Sequence, residues 1–179
     1  MYKFDFKLND ADYFEFNKFH VNSATSNKRA VLMIRLFLPV VLLIILLLRY
    51  LKEDIILMIS MLISFTFVSV LWVLMIKPLL FLFLQINIKL LKMDGKMPYA
   101  KEVSVCFEDD QCIEITEIAE SKIRYSAIEK IGIGRNAVYL YFGAVQALII
   151  PFFAFADEEQ KRTFLEFIRS KIKAEQSHT

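Results

Sequence analysis

Residues 55–76 read IILMISMLISFTFVSVLWVLMI, 22 residues without a charge, a glycine or a proline. As an α-helix this run rises about 33 Å, enough to cross a hydrocarbon core of about 30 Å. The competing reading is a helix buried in a large soluble core. A chain of 179 residues has too little mass to bury such a helix on all sides. The run is therefore expected to span a membrane. Ser60, Ser64, Thr66 and Ser69 can bond back to helix carbonyls or to a neighbouring helix.

A second span is expected over residues 30–50, AVLMIRLFLPVVLLIILLLRY. Arg35 lies near its start, from where the side chain can snorkel to the head groups. Pro39 would loosen the first turns, which a membrane helix tolerates beside a neighbour. A signal peptide is a poor reading, because 29 mostly polar residues precede the run and no small-residue cleavage site follows it. The link RYLKED, residues 49–54, is short, which makes the two spans an antiparallel hairpin. In it Arg49 and Lys52 are matched by Glu53 and Asp54. Cations flank the pair more densely: Lys18, Lys28 and Arg29 before it, Lys77, Lys89, Lys92 and Lys96 after it. The positive-inside rule then places both termini in the cytoplasm. Lys28, Arg29, Arg35, Lys77, Lys89 and Lys92 are the expected anchors at the membrane interface.

Residues 78–96 are too short and too polar for a third span. They read as the second helix continuing into the interface, lying along the membrane or packing on the soluble domain, and ended by a turn at Asp94-Gly95. Residues 1–29 hold an alternating segment, Tyr2, Phe4, Phe6 and Leu8 against Lys3, Asp5 and Lys7. That period of two predicts a half-buried strand. Asn9 or Asp10 then caps a helix on which Tyr13, Phe16 and Phe19 share a face. A lone strand is unstable in water, so pairing with the C-terminal sheet is expected.

Residues 97–179 read as short antiparallel strands with one wet face, then a helix capped by Asp157 and lined by Phe164, Leu165, Ile168 and Ile172. Val103, Val105 and Phe107 alternate inward, Ile113 and Ile115 are expected to continue the pattern, and Glu114 and Glu117 to face out. Cys106 and Cys112 flank FEDDQ, where a three-residue loop would set them opposite each other. Reduced thiols are expected if this segment is cytoplasmic. ALII, residues 147–150, reads as the last strand, and PFFAFA as the crossover into the closing helix. The expected fold class is thus an α+β membrane protein, a two-helix hairpin plus a small cytosolic antiparallel β domain closed by a C-terminal helix. Its strand-then-helix order has a pleckstrin-homology-like outline.

The aromatic strand FDFKLNDADYFEFNKFH, the two-helix hairpin, IRYSAIEKIGIGRNAVYLYF and ALIIPFFAF before an acidic helix start together resemble the YcxB-like family of small bacterial membrane proteins. The resemblance implies a two-span anchor in the bacterial cytoplasmic membrane and a cytosolic C-terminal domain, with no established activity. The family pattern after the proline carries basic residues, where this chain has Phe152 and Phe153.

No catalytic pattern accompanies these elements. HExxH and GxSxG are absent, and GIG at Gly132–Gly134 lacks the rest of a phosphate loop. Neither span contains Asp, Glu or His, which argues against a proton relay or ion path. His20 and His178 lie far from the two cysteines, so no zinc site is expected. Glu108-Asp109-Asp110 lacks the spacing of a calcium loop. A net charge of +2 is too small to argue for nucleic acid. No cofactor, metal or catalytic residue is expected. The expected role is a membrane-anchored interaction or regulatory module that meets a protein partner or lipid head group, with Phe152 and Phe153 as candidate contacts. The alternative is an immunity protein against a toxin acting at the membrane. Homo-oligomers are compatible with either.

Overall fold

A computed structural model describes residues 2–23, 25–50, 55–95, 97–144 and 146–176. Lys52, Glu53, Asp54, Lys96 and His178 lie outside the described residues, as does the side chain of Arg49. The described chain forms β1 (Tyr2–Lys7), α1 (Asp10–Ser23), α2 (Thr25–Tyr50), α3 (Ile55–Met93), β2 (Glu102–Phe107), β3 (Gln111–Thr116), β4 (Glu120–Arg124), β5 (Lys130–Ile133), β6 (Ala137–Tyr141), β7 (Ala147–Pro151) and α4 (Glu158–Gln176). It divides into two compact units, residues 1–20 with 90–179 and residues 21–89.

In the first unit β1 pairs antiparallel with β2, Phe4 opposite Val105 and Phe6 opposite Val103. The expected joining of the two chain ends is therefore present. Strands β1-β2-β3-β4 form one sheet and β5-β6-β7 a second, all pairs antiparallel. One core gathers the inner faces of both: Phe4, Val105 and Phe107 from the first, Val138, Leu140 and Ile150 from the second. Phe164, Leu165 and Ile168 of α4 complete it, at the spacing the sequence predicts for one helical face. The core is rich in rings. Phe164 meets Phe107 at 4.8 Å, Phe4 at 5.2 Å and Tyr2 at 5.4 Å between centroids, all edge-on, the arrangement that aromatic quadrupoles favour.

Both helices of this unit are capped as read. The Asn9 side-chain oxygen accepts from the backbone N–H of Ala11 and Asp12, and the Asp12 carboxylate accepts from Asn9 N–H in return. Asp157 accepts from Gln160 N–H at 2.7 Å. Gly95 has φ 71°, the left-handed conformation that ends α3 at the expected turn.

Three expectations need correction. The second sheet has no wet face across β6. Every residue of β6 is buried, because α1 covers the side away from the main core with Phe16 on Tyr139, Tyr141 and Ile149. Glu114 does not face out. It pairs with Val105 in register and so lies on the inner side of the first sheet, while Ile115 is exposed. The reason lies in the hairpin. Glu108 N–H donates to Gln111 C=O, leaving a two-residue turn at Asp109-Asp110 instead of three. That turn pairs Phe107 with Cys112 and shifts the alternation by one residue. Cys106 consequently faces Ile113 rather than Cys112, and both cysteines are free thiols.

In the second unit α2 and α3 are long and apolar enough to cross a membrane. α2 passes Pro39 without ending, and α3 passes Pro78 as one continuous helix. Ser60, Ser64 and Thr66 donate to carbonyls of their own helix, removing their polar groups from the surroundings. Trp72 Nε1 donates to Ile34 C=O, tying α3 to α2.

Candidate functional site

Phe152 and Phe153 follow Pro151, where β7 ends and a single 3-10 turn begins. The turn is fixed from behind, because Phe152 N–H donates to Asn136 C=O at 2.7 Å. The two rings then part. Phe152 packs against the main core, with the Lys161 ammonium 4.1 Å from its ring centroid. Phe153 is 64% exposed. One turn thus divides the expected pair into a core ring and a surface ring, since consecutive side chains of a tight turn diverge.

The expected interface cations also divide. Lys28 and Arg35 share a face of α2 with Val31 and Leu32, at i, i+3, i+4 and i+7. Together with Lys77 of α3 they line one cavity of about 300 Å³, to which Val21 and Asn22 also contribute. Arg29 and Lys89 are exposed elsewhere on their helices. Lys92 pairs with Asp10, whose other carboxylate oxygen accepts from the Tyr99 hydroxyl. Those contacts hold the Asp10 carboxyl below its usual pKa, the Lys92 bond contributing most, then the Tyr99 bond.

The remaining chemical groups have structural partners. His20 stacks on Tyr141, with burial and then the Lys130 charge lowering its pKa. Burial pushes the Cys112 thiol up to about 12, which leaves it without thiolate character at neutral pH. The acidic turn is bound to α4 and to the core: Lys171 Nζ donates to Asp109 C=O at 2.8 Å, and Tyr125 hydroxyl donates to Glu108 C=O at 2.6 Å. Among the described residues no group of three or more His, Cys, Asp or Glu side chains could hold a metal ion. GIG has a packing role. A Cβ on Gly132 would lie 2.7 Å from the Phe19 ring, and one on Gly134 2.5 Å from the Tyr139 ring. These glycines let aromatic rings lie on the backbone of β5 and its end.

The convergence of Lys28, Arg35 and Lys77 is not among the features expected from the sequence. The signal for two of them was present, since seven residues separate Lys28 from Arg35 on a helix. Lys77 could be added only by knowing the helix pairing.

The architecture defines an α+β protein in which an antiparallel sheet domain with a closing helix accompanies two helices able to cross a membrane. The family model described as YcxB-like protein matches residues 107–168, from the end of β2 into α4, in agreement with the resemblance drawn from the sequence. No curated protein and no solved structure matches the chain.

Proposed function

We propose that this chain is a non-enzymatic, membrane-anchored interaction module. α2 and α3 hold it in a bacterial cytoplasmic membrane as a two-span anchor, and the sheet domain meets a protein partner on the cytoplasmic side. The observation that carries the reading is the lipid-like surface of the two helices. Leu48, Ile56, Phe67 and many neighbours of the same kind expose their side chains, at a density that water does not tolerate and hydrocarbon does. The cation-rich flanks Lys18, Lys28 and Arg29, and Lys77, Lys89 and Lys92, support cytoplasmic termini. Phe153, exposed at a rigid turn, supports a contact for the partner.

Two measurements test this. Tags at either end of the chain should be cut by protease only after spheroplasts are opened, and the chain should stay in the pellet after carbonate extraction. A photo-crosslinking amino acid at position 153 should give a discrete protein adduct that the same probe at Glu166, an exposed position on α4, does not. Release by carbonate removes the anchor. Identical adducts at both positions remove the Phe153 contact.

A further inference from the structure

The cavity between α2, α3 and the end of α1 carries three cations and no acid in its lining. Lys77 Nζ donates to the Asn22 side-chain oxygen at 3.3 Å. Arg35 Nε is buried and has no hydrogen-bond partner among the described residues. Among those residues Lys28, Arg35 and Lys77 form no ion pair. Three like charges converging on a partly buried space are costly unless an anion joins them. A guanidinium with an idle Nε–H presents a planar fork that matches two oxygens of one phosphate.

The position of the cavity along the helices narrows the ligand further. From Ile34–Trp72 to Lys28–Lys77 the contacts move backward along α2 and forward along α3, so the helices run antiparallel. Lys28 begins one apolar stretch and Lys77 follows directly on the other. Both therefore mark the same end of the hairpin, where the hydrocarbon stops and head groups begin. We propose that Lys28, Arg35 and Lys77 bind a phosphate group there, either that of an anionic lipid or a free phosphate. Arg35 grips two phosphate oxygens through its fork, and the lysines neutralise the remaining charge from either side. Val31 and Leu32, on the same face of α2, leave apolar wall for an acyl chain beside the phosphate.

The inference rests on the membrane placement proposed above, and not on the protein partner. The full chain, purified in a neutral detergent, is offered phosphatidylglycerol and phosphatidylcholine in equal amounts, and bound lipid is read by native mass spectrometry. The wild-type chain should retain one phosphatidylglycerol in preference. Arg35→Gln with Lys77→Gln should weaken retention roughly tenfold or more. Arg29→Gln with Lys89→Gln, which removes equal charge outside the cavity, should leave it unchanged. Arg35→Lys keeps the charge but loses the fork, and should weaken retention severalfold. Lipid that resists added inorganic phosphate identifies the lipid as the source, and lipid displaced by it identifies free phosphate. Retention of neither, equal loss in both double variants, or wild-type retention by Arg35→Lys overturns the assignment. A chain recovered in the membrane pellet without bound lipid refutes the cavity alone. A chain recovered in the soluble fraction refutes the placement.

Discussion

Phe164→Ala should loosen the sheet domain more than any other single truncation considered for it. Phe164 is fully buried, and its ring meets Tyr2, Phe4, Phe107 and Phe155 at centroid distances of 5.4, 5.2, 4.8 and 5.5 Å. The ring thereby joins β1, β2 and the segment before α4, which come from both ends of the chain. Phe→Ala at such a site costs about 3–5 kcal/mol, combining lost transfer energy with the cavity left behind. Close packing of those rings limits how far that cavity can collapse. Cys112 supplies a local probe, because it is buried in the same core and its thiol is held protonated. In a Cys106→Ser background, maleimide labelling of Cys112 reports opening of this domain without reference to the apolar helices. At about 1.4 kcal/mol per tenfold, labelling of Phe164→Ala should run roughly two to three and a half decades faster than the parent. Phe153→Ala, at an exposed ring, should change the rate by less than about threefold. Equal labelling of Phe164→Ala and Phe153→Ala would refute the claim that Phe164 organises the core.

The same labelling assay checks three further expectations. Tyr139→Phe should slow labelling, by about 1 kcal/mol of added stability, because the Tyr139 hydroxyl is buried with no hydrogen-bond partner among the described residues. Asn9→Ala removes the acceptor for Ala11 and Asp12 N–H and should cost about 0.5–2 kcal/mol, with Asn9→Asp restoring most of it. Glu114 titrates above its ordinary value of 4.5 because burial disfavours its charged form. Its contribution to stability is therefore full below the ordinary carboxyl range and lost as pH rises through the folded-state value. Glu114→Gln should be more stable than the parent at neutral pH, and the gap should close on acidification. A gap independent of pH would assign the gain to packing.

Much of the fold was legible because its signals are local. The β1 alternation, the Asn9 and Asp157 caps and the Phe164–Ile168–Ile172 face each depend on residues within a few positions of one another. The long apolar runs of α2 and α3 needed only length and composition. Register was not legible in the same way. The packing role of Gly132 and Gly134 is not legible, because the sequence does not reveal that Phe19 and Tyr139 lie against them. The face that Glu114 takes is not legible either, because it depends on whether the acidic hairpin turns in two residues or three. The choice of turn depends on how β2 and β3 pack, with Lys171 and Tyr125 holding the turn from α4 and the core.

By itself the sequence determined what kind of solvent each segment needs. Apolar length marks the helices able to cross a membrane, and periods of two and of three to four assign strands and helices, because burial of apolar surface acts residue by residue. Only the tertiary structure decided which side chains meet. It separated Phe152 from Phe153, kept Cys106 from Cys112, buried both faces of β6 and drew Lys28, Arg35 and Lys77 around one space. Those outcomes depend on turn length and helix pairing between distant parts of the chain, and no local pattern of residues carries that information.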